Sequence, residues 1–221
     1  MLTSVQHELQ TYEDDQSVAR AAAAYVAQYA HDRVSTGIIC SLAMSGGRTP
    51  AAMFRVLGSA AFPWESAIFY QVDERIAPTN DPARNVLELR AGLGDQAHIR
   101  AMPVDDDDLD AAANHYASLL PEEFDLVHLG LGPDGHTASL VPGDPVLDVV
   151  DRRVALTNEY QGHRRMTLTY EELNSARQLL WVVTGAEKKD ALARLLDGDS
   201  SIPAGRVVAS RSIIMADRAA L

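Results

Sequence analysis

Asp134 and His136, one glycine apart in "LGLGPDGHTASLVP" (129–142), are the pair whose types and spacing best suit proton transfer. A carboxylate close to an imidazole fixes its tautomer and raises its basicity, which is what a general base near pH 7 needs. The competing reading is a helix-capping or buried structural histidine. Glycines 130, 132 and 135 in the same stretch also fit G-x-G-x-x-G, the phosphate-cradling pattern of dinucleotide folds. Their neighbours argue against a nucleotide. Asp134 would repel a pyrophosphate, Pro133 removes one N–H from the cradle, and Pro142 restricts any helix that starts there to a short one. The stretch reads as a loop that presents a base.

Four other places carry residue types suited to an anionic ligand. "SGGRTP" (45–50) sets a glycine pair before a helix start, so its N–H groups, with the Ser45 and Thr49 hydroxyls, could hold a phosphate against the helix dipole. The alternative is a tight strand-to-helix turn, and the spacing and lysine of a P-loop are missing. "DER" (73–75) ends an apolar run; Asp73 is a candidate proton carrier or orienting group and Arg75 an anion or carbonyl binder, against a surface ion-pair cluster. Lys188 falls in the first turn of an expected helix, where it opposes the dipole; an anion shared with the helix N-terminus would explain it. The chain has only two lysines, 188 and 189, against 17 arginines, which suggests a place that wants a compact ammonium. Arg165 opens a strand and either adds a further positive group or is an ordinary strand-edge charge.

Bulk properties remove several function classes. A net charge of −12 over 221 residues argues against sequence-independent nucleic-acid binding and against an anionic membrane surface. No apolar stretch reaches the length of a membrane span, and "MLTSVQHELQTYEDD" lacks the basic and apolar regions of a signal peptide, so a cytoplasmic protein is expected. The single cysteine, Cys40, sits in an apolar run and reads as a core residue. The histidines show no ligand spacing, so no metal site is expected, and no Ser-His-Asp order or reactive cysteine points to covalent catalysis.

The elements that must position these groups alternate along the chain. Helices are expected over 15–33 (with Asp14 or Asp15 near the N-cap), 49–57, 83–92, 109–120 and 187–198, the last closed by Gly198. Strands are expected over 37–44, 67–73, 98–104, 124–132, 153–157, 165–169, 178–185 and 212–217. The run Asp105–Asp108 reads as a solvated loop leading into a helix N-terminus. This alternation predicts one α/β domain over 1–221, a mostly parallel sheet with helices on both faces. In such sheets ligands sit beyond the carboxyl ends of the strands, where the groups at 45–49, 73–75, 134–136 and 185–188 fall.

"SGGRTP", "VDER", "GLGPDGHTASLVPG", "RMTLT", "TGAEKKDAL" and a terminal "DRAA" come in the order and spacing of the 6-phosphogluconolactonases, and the chain resembles that family from about residue 17 to its end. The resemblance implies hydrolysis of 6-phospho-D-glucono-1,5-lactone to 6-phosphogluconate, with no metal or cofactor. A monomer or weak homo-oligomer is expected, with the sugar-phosphate lactone as its small-molecule partner. It also implies a Rossmann-like fold shared with glucosamine-6-phosphate deaminases. Those enzymes carry tyrosine after the D-E and "HIAFNEP" after the D-G, so Arg75 and Thr137–Leu140 favour the lactonase.

Carried over by motif, His136 would activate water for attack on C1, supported by Asp134, with Asp73 at the acidic position beside the sugar. Arg75 would bind either the phosphate or the developing oxyanion. Gly46, Gly47, Thr49, Arg165 and Lys188 would contact the phosphate side, and Asn85 matches the asparagine that follows the family's D-E-R. Two departures stand out. "TNEYQGHRR" (157–165) replaces a proline-rich segment with a lysine, and "SLVP" replaces "SLFP".

Overall fold

Because both faces of a parallel sheet are covered, its strands read as near-continuous apolar runs, and that is how the central elements form. A computed structural model of the chain describes residues 7–221; residues 1–6, part of the stretch read as lacking a signal peptide, lie outside the described residues. In chain order the strands are β1 (His7–Tyr12), β2 (Cys40–Met44), β3 (Ala67–Gln71), β4 (Asp73–Arg75), β5 (His98–Arg100), β6 (Leu126–Leu129), β7 (Val154–Leu156), β8 (Arg165–Leu168), β9 (Leu179–Val183) and β10 (Ser212–Asp217). The helices are α1 (Asp15–Val34), α2 (Arg48–Gly58), α3 (Asn85–Leu93), α4 (Leu109–Leu119), α5 (Tyr170–Asn174) and α6 (Lys189–Leu196).

Seven strands form one parallel sheet in the order β1-β10-β9-β6-β2-β3-β5. Alternation along each strand divides the core in two. Leu42 and Met44 of β2 pack with Met53 and Phe54 of α2 and the alanine-rich side of α1, while Ala43 faces Tyr116 of α4 and the α6 side. α1 starts where expected, because the Asp14 side chain accepts from the Ser17 N–H at 2.7 Å. Cys40 is buried in this core, and burial pushes its thiol up to about 12, so it carries no thiolate at neutral pH. No helix of the described residues is long and apolar enough to cross a membrane.

The main departure from the expected strands lies at 67–73. That run ends at Gln71, and Asp73–Arg75 forms a separate strand in a small antiparallel sheet, β4-β8-β7. Val72 joins the two sheets: its N–H donates to the Met44 carbonyl at 3.1 Å, and its own carbonyl accepts from the Leu168 N–H at 2.8 Å. β1 and α5 had no expectation. β1 is an edge strand with largely polar composition, and its register comes from pairing with β10. Residues 186–188 form a 3₁₀ turn, so Lys188 sits at the entrance to α6 and not within its first regular turn.

Candidate active site

The chain order departs in opposite directions from the β2–β6 pair, which opens a crevice beyond the strand ends. A cleft of about 700 Å³ lies there. Ser45, Gly46, Gly47, Thr49, Asp73, Arg75, Asn85, His136, Arg165 and Lys188 all line it, and Asp134 stands directly behind His136.

β6 delivers the proton-transfer pair. After Leu129 the chain turns tightly: the Gly132 N–H donates to the His136 carbonyl at 2.8 Å, and the Gly135 N–H donates to the Gly132 carbonyl at 3.0 Å. Within this turn the Asp134 Oδ1 meets the His136 Nδ1 at 2.5 Å and the His136 backbone N–H at 3.2 Å. That contact assigns the Nδ1 proton to the carboxylate side and leaves Nε2 without a hydrogen-bond partner among the described residues. Partial burial works to raise the Asp134 pKa, but the charge and hydrogen bonds of His136, with the Tyr160 hydroxyl, outweigh it and hold the carboxyl below its usual range. The His136 side chain is 23% exposed, enough to meet a ligand in the cleft. A Cβ on Gly132 would sit 2.1 Å from His136 Nδ1, so the pair rests on a bare glycine.

The small sheet supplies the charged wall. Directly opposed residues of an antiparallel pair project to one face, and the register sets Asp73 opposite Thr167 and Arg75 opposite Arg165. Two arginines facing each other across strands repel unless an anion comes between them. Arg165 is 4% exposed, and its Nε has no hydrogen-bond partner among the described residues. Burial pulls its guanidinium below the usual range, with Asp73 opposing this and Arg75 adding to it. Arg75 is held by Nη1 hydrogen bonds to the Ala83 carbonyl at 2.8 Å and Asn85 Oδ1 at 2.7 Å.

Asp73 is buried, and burial raises its pKa against the opposing Ser139 hydrogen bond, at 2.6 Å, and the Arg75 and Arg165 charges; Glu74 adds to the rise. Ser139 reaches Asp73 through a sharp turn at Ala138, whose φ of 49° is uncommon for a residue with a side chain. Sequence reasoning missed Ser139 and Glu74. Glu74 points to the opposite face of β4, is fully buried, and accepts from the Asn85 N–H at 2.7 Å and the Val86 N–H at 2.9 Å. It thus caps α3 from outside and fixes Asn85. Strict strand alternation through Asp73-Glu74-Arg75 was the signal for it.

In the glycine loop, Gly47 has a φ of 122°, a conformation that side-chain residues rarely adopt, and its N–H donates to Glu88 Oε2 at 2.9 Å. A Cβ on Gly46 would come 2.3 Å from the Asn85 side chain. The hydroxyls proposed for anion contact have other partners: Ser45 Oγ donates to the His128 carbonyl at 3.1 Å, and Thr49 Oγ1 shares a 2.7 Å hydrogen bond with Thr184 Oγ1. Ser45 therefore serves the turn, and the backbone of the loop faces the cleft. Lys188 is half-buried opposite, beside Gly185, whose N–H donates to the Asp217 carboxylate at 3.1 Å. Among the described residues no three His, Cys, Asp or Glu side chains are grouped to hold a metal ion.

His128 lies fully buried below this loop, and its Nδ1 accepts from the Ser45 N–H at 3.3 Å. Burial pushes its ring from an ordinary 6.5 down to about 3. Between those values the unfolded chain holds more protons than the folded one, so stability is lost as pH falls below 6.5. Comparing urea midpoints at pH 7 and pH 4.5, His128→Leu should escape about 2–3 kcal/mol of the acid loss seen in the wild type. An equal loss in both proteins would contradict the neutral buried ring.

A family model described as "Glucosamine-6-phosphate isomerases/6-phosphogluconolactonase" matches residues 13–215. The chain belongs to that family. It is 36% identical over 170 residues to the 6-phosphogluconolactonase of Synechocystis sp., covering 70% of each chain. It is also 32% identical over 203 residues to that of Treponema pallidum, covering 84% of each. In fold, the Thermotoga maritima 6-phosphogluconolactonase superposes with a TM-score of 0.87 at 24% identity, covering 96% of this chain and all of the other. A monomeric glucosamine-6-phosphate deaminase superposes at 0.84 with 18% identity, covering 96% and 98%. The expected Rossmann-like parallel sheet is thus the family's fold. The family model begins a few residues earlier than the resemblance read from the motifs.

Proposed function

We propose that this protein hydrolyses 6-phospho-D-glucono-1,5-lactone to 6-phosphogluconate, the second step of the oxidative pentose phosphate pathway, and works in the cytoplasm. The observation that carries this reading is the Asp134–His136 pair opening onto a cleft that a facing pair of arginines also lines. Lactonase relatives at more than 30% identity support the substrate class.

In this reading His136 takes a proton from water as the water oxygen bonds to C1, and Asp134 holds the imidazolium that forms. Positive charge from the arginines meets the phosphate and the oxyanion developing on C1. Collapse of the tetrahedral intermediate breaks the bond from C1 to the ring oxygen, and His136 returns its proton to that oxygen. Asp73 occupies the acidic position beside the sugar, within the field of both arginines. Phosphate contacts at the glycine loop and Lys188 hold the ring in place, so they act on turnover as well as affinity.

The test is to follow loss of freshly made 6-phosphogluconolactone above its spontaneous rate. Lys188→Ala should lower kcat/KM for that substrate by about tenfold or more, with less than about a twofold effect on unphosphorylated gluconolactone. Equal effects on both would remove Lys188 from the phosphate side. Ammonia release from glucosamine 6-phosphate would replace the lactonase reading with a deaminase.

A further inference from the structure

Segment 157–163, where the chain departs from the family pattern, has a definite shape. The Tyr160 N–H donates to the His163 carbonyl at 3.0 Å, and the His163 N–H returns a bond to the Tyr160 carbonyl at 3.3 Å. The two residues between them have positive φ, 51° at Gln161 and 81° at Gly162, as in a type I′ hairpin turn. A glutamine held at positive φ is a costly choice that persists only where its surroundings demand it. Gln161 faces the cleft, and its amide donates to the Tyr160 hydroxyl at 3.1 Å.

From this hairpin tip Tyr160 touches both halves of the site. Its hydroxyl donates to Asp134 Oδ2 at 3.0 Å, while the other carboxylate oxygen holds His136. Its ring meets the His136 ring edge-on, with centroids 5.4 Å apart at 68°. The same ring lies 4.9 Å from the central guanidinium carbon of Arg165, the buried arginine with an unpartnered Nε. Burial, with the Asp134 hydrogen bond and charge, keeps the phenol above its usual pKa, so it remains a donor across the neutral range.

We propose that Tyr160 is a positioning residue with two separable duties: its hydroxyl locks Asp134 and through it His136, and its ring seats Arg165 for an anionic group of the substrate. The first duty rests on the lactonase reading; the second requires only that the cleft take an anion. A carboxylate with one oxygen free rotates away from its histidine at the cost of one hydrogen bond, whereas one bonded at both oxygens must break two. Likewise, a buried guanidinium without a neighbouring face has several rotamers open to it.

Steady-state kinetics of wild type, Tyr160→Phe and Tyr160→Ala on 6-phosphogluconolactone and on unphosphorylated gluconolactone separate the duties. Tyr160→Phe keeps the ring, so its kcat should fall about tenfold on both substrates while KM stays within about twofold. Tyr160→Ala should show the same fall in kcat and, in addition, a KM about tenfold higher for the phosphorylated lactone only. A wild-type kcat in Tyr160→Phe overturns the first duty. An unchanged KM in Tyr160→Ala, or a raised KM that Phe does not restore, overturns the second.

Two binding and spectroscopic readouts keep the test independent of turnover. Titration with inorganic phosphate should give a weaker affinity for Tyr160→Ala than for Tyr160→Phe, and the ¹⁵N signals of the His136 ring should move in Tyr160→Phe. Wild-type protein that does not hydrolyse the lactone would overturn the lactonase reading, and these two measurements would still decide the positioning role. Unmoved ring signals together with equal phosphate affinities would end it.

Discussion

His136→Ala is expected to lower kcat on 6-phosphogluconolactone by about 10²- to 10⁴-fold, the usual contribution of a positioned general base. Asp134 Oδ1 holds one ring nitrogen at 2.5 Å, the other nitrogen has no hydrogen-bond partner among the described residues, and the ring borders the cleft. Removing a partly exposed ring leaves no buried group unpaired, so the thermal midpoint should change little. The phosphate-side contacts remain in place, so KM should stay within a few-fold. The lactone hydrolyses spontaneously, so the measurement is the rate above a protein-free control. A variant with near wild-type turnover would remove His136 from the chemistry.

Gly132→Ala is expected to cost nearly as much, although it adds a single methyl group. A Cβ at this position would lie 2.1 Å from His136 Nδ1, 2.2 Å from its Cε1 and 2.6 Å from Asp134 Oδ1. All three are side-chain atoms, so the ring and carboxylate can swing aside and the chain still folds. The pair itself cannot survive. Misplacing a catalytic group by about 1 Å costs on the order of 10²-fold, and here the ring must move at least that far. Gly130→Ala is the matched control, because a Cβ there meets nothing within 4 Å. Its activity should remain within about twofold of wild type. Kinetics and thermal melts on the two variants check the contrast; equal losses would mean that the turn, and not the contact with His136, is being disturbed.

That contrast also shows how far residue patterns alone reach. The neighbours of the three glycines were enough to set aside a nucleotide loop, because a proline and an aspartate inside the pattern spoil it for a pyrophosphate. The separate duties of Gly130 and Gly132 depend on where His136 folds back, which is a tertiary fact. The parallel sheet was legible in the apolar runs, and the cap of α1 was legible as Asp14 or Asp15, of which the fold uses Asp14.

The split at Val72 was not legible, because "AIFYQVDER" carries no glycine or proline to mark where one sheet ends and the next begins. Ser45 and Thr49 were read as ligand hydroxyls from their place in the glycine loop; both line the cleft, and the fold adds partners the loop does not foretell, the His128 carbonyl for Ser45 and Thr184 for Thr49. Tyr160 left no trace in the residue pattern. Its hairpin turns at Gln-Gly, outside the usual Asn-Gly signal, and its partners Asp134, His136 and Arg165 lie 26, 24 and five positions away, spacings that no rule of local structure reads as contact.

Val72 gives its N–H to one sheet and its carbonyl to the other. The strand end that carries the glycine loop and the face that carries the arginines are thereby joined through one residue. A substrate in the cleft therefore meets two groups of contacts whose spacing is set by main-chain bonds on either side of Val72. The fold itself acts as a ruler.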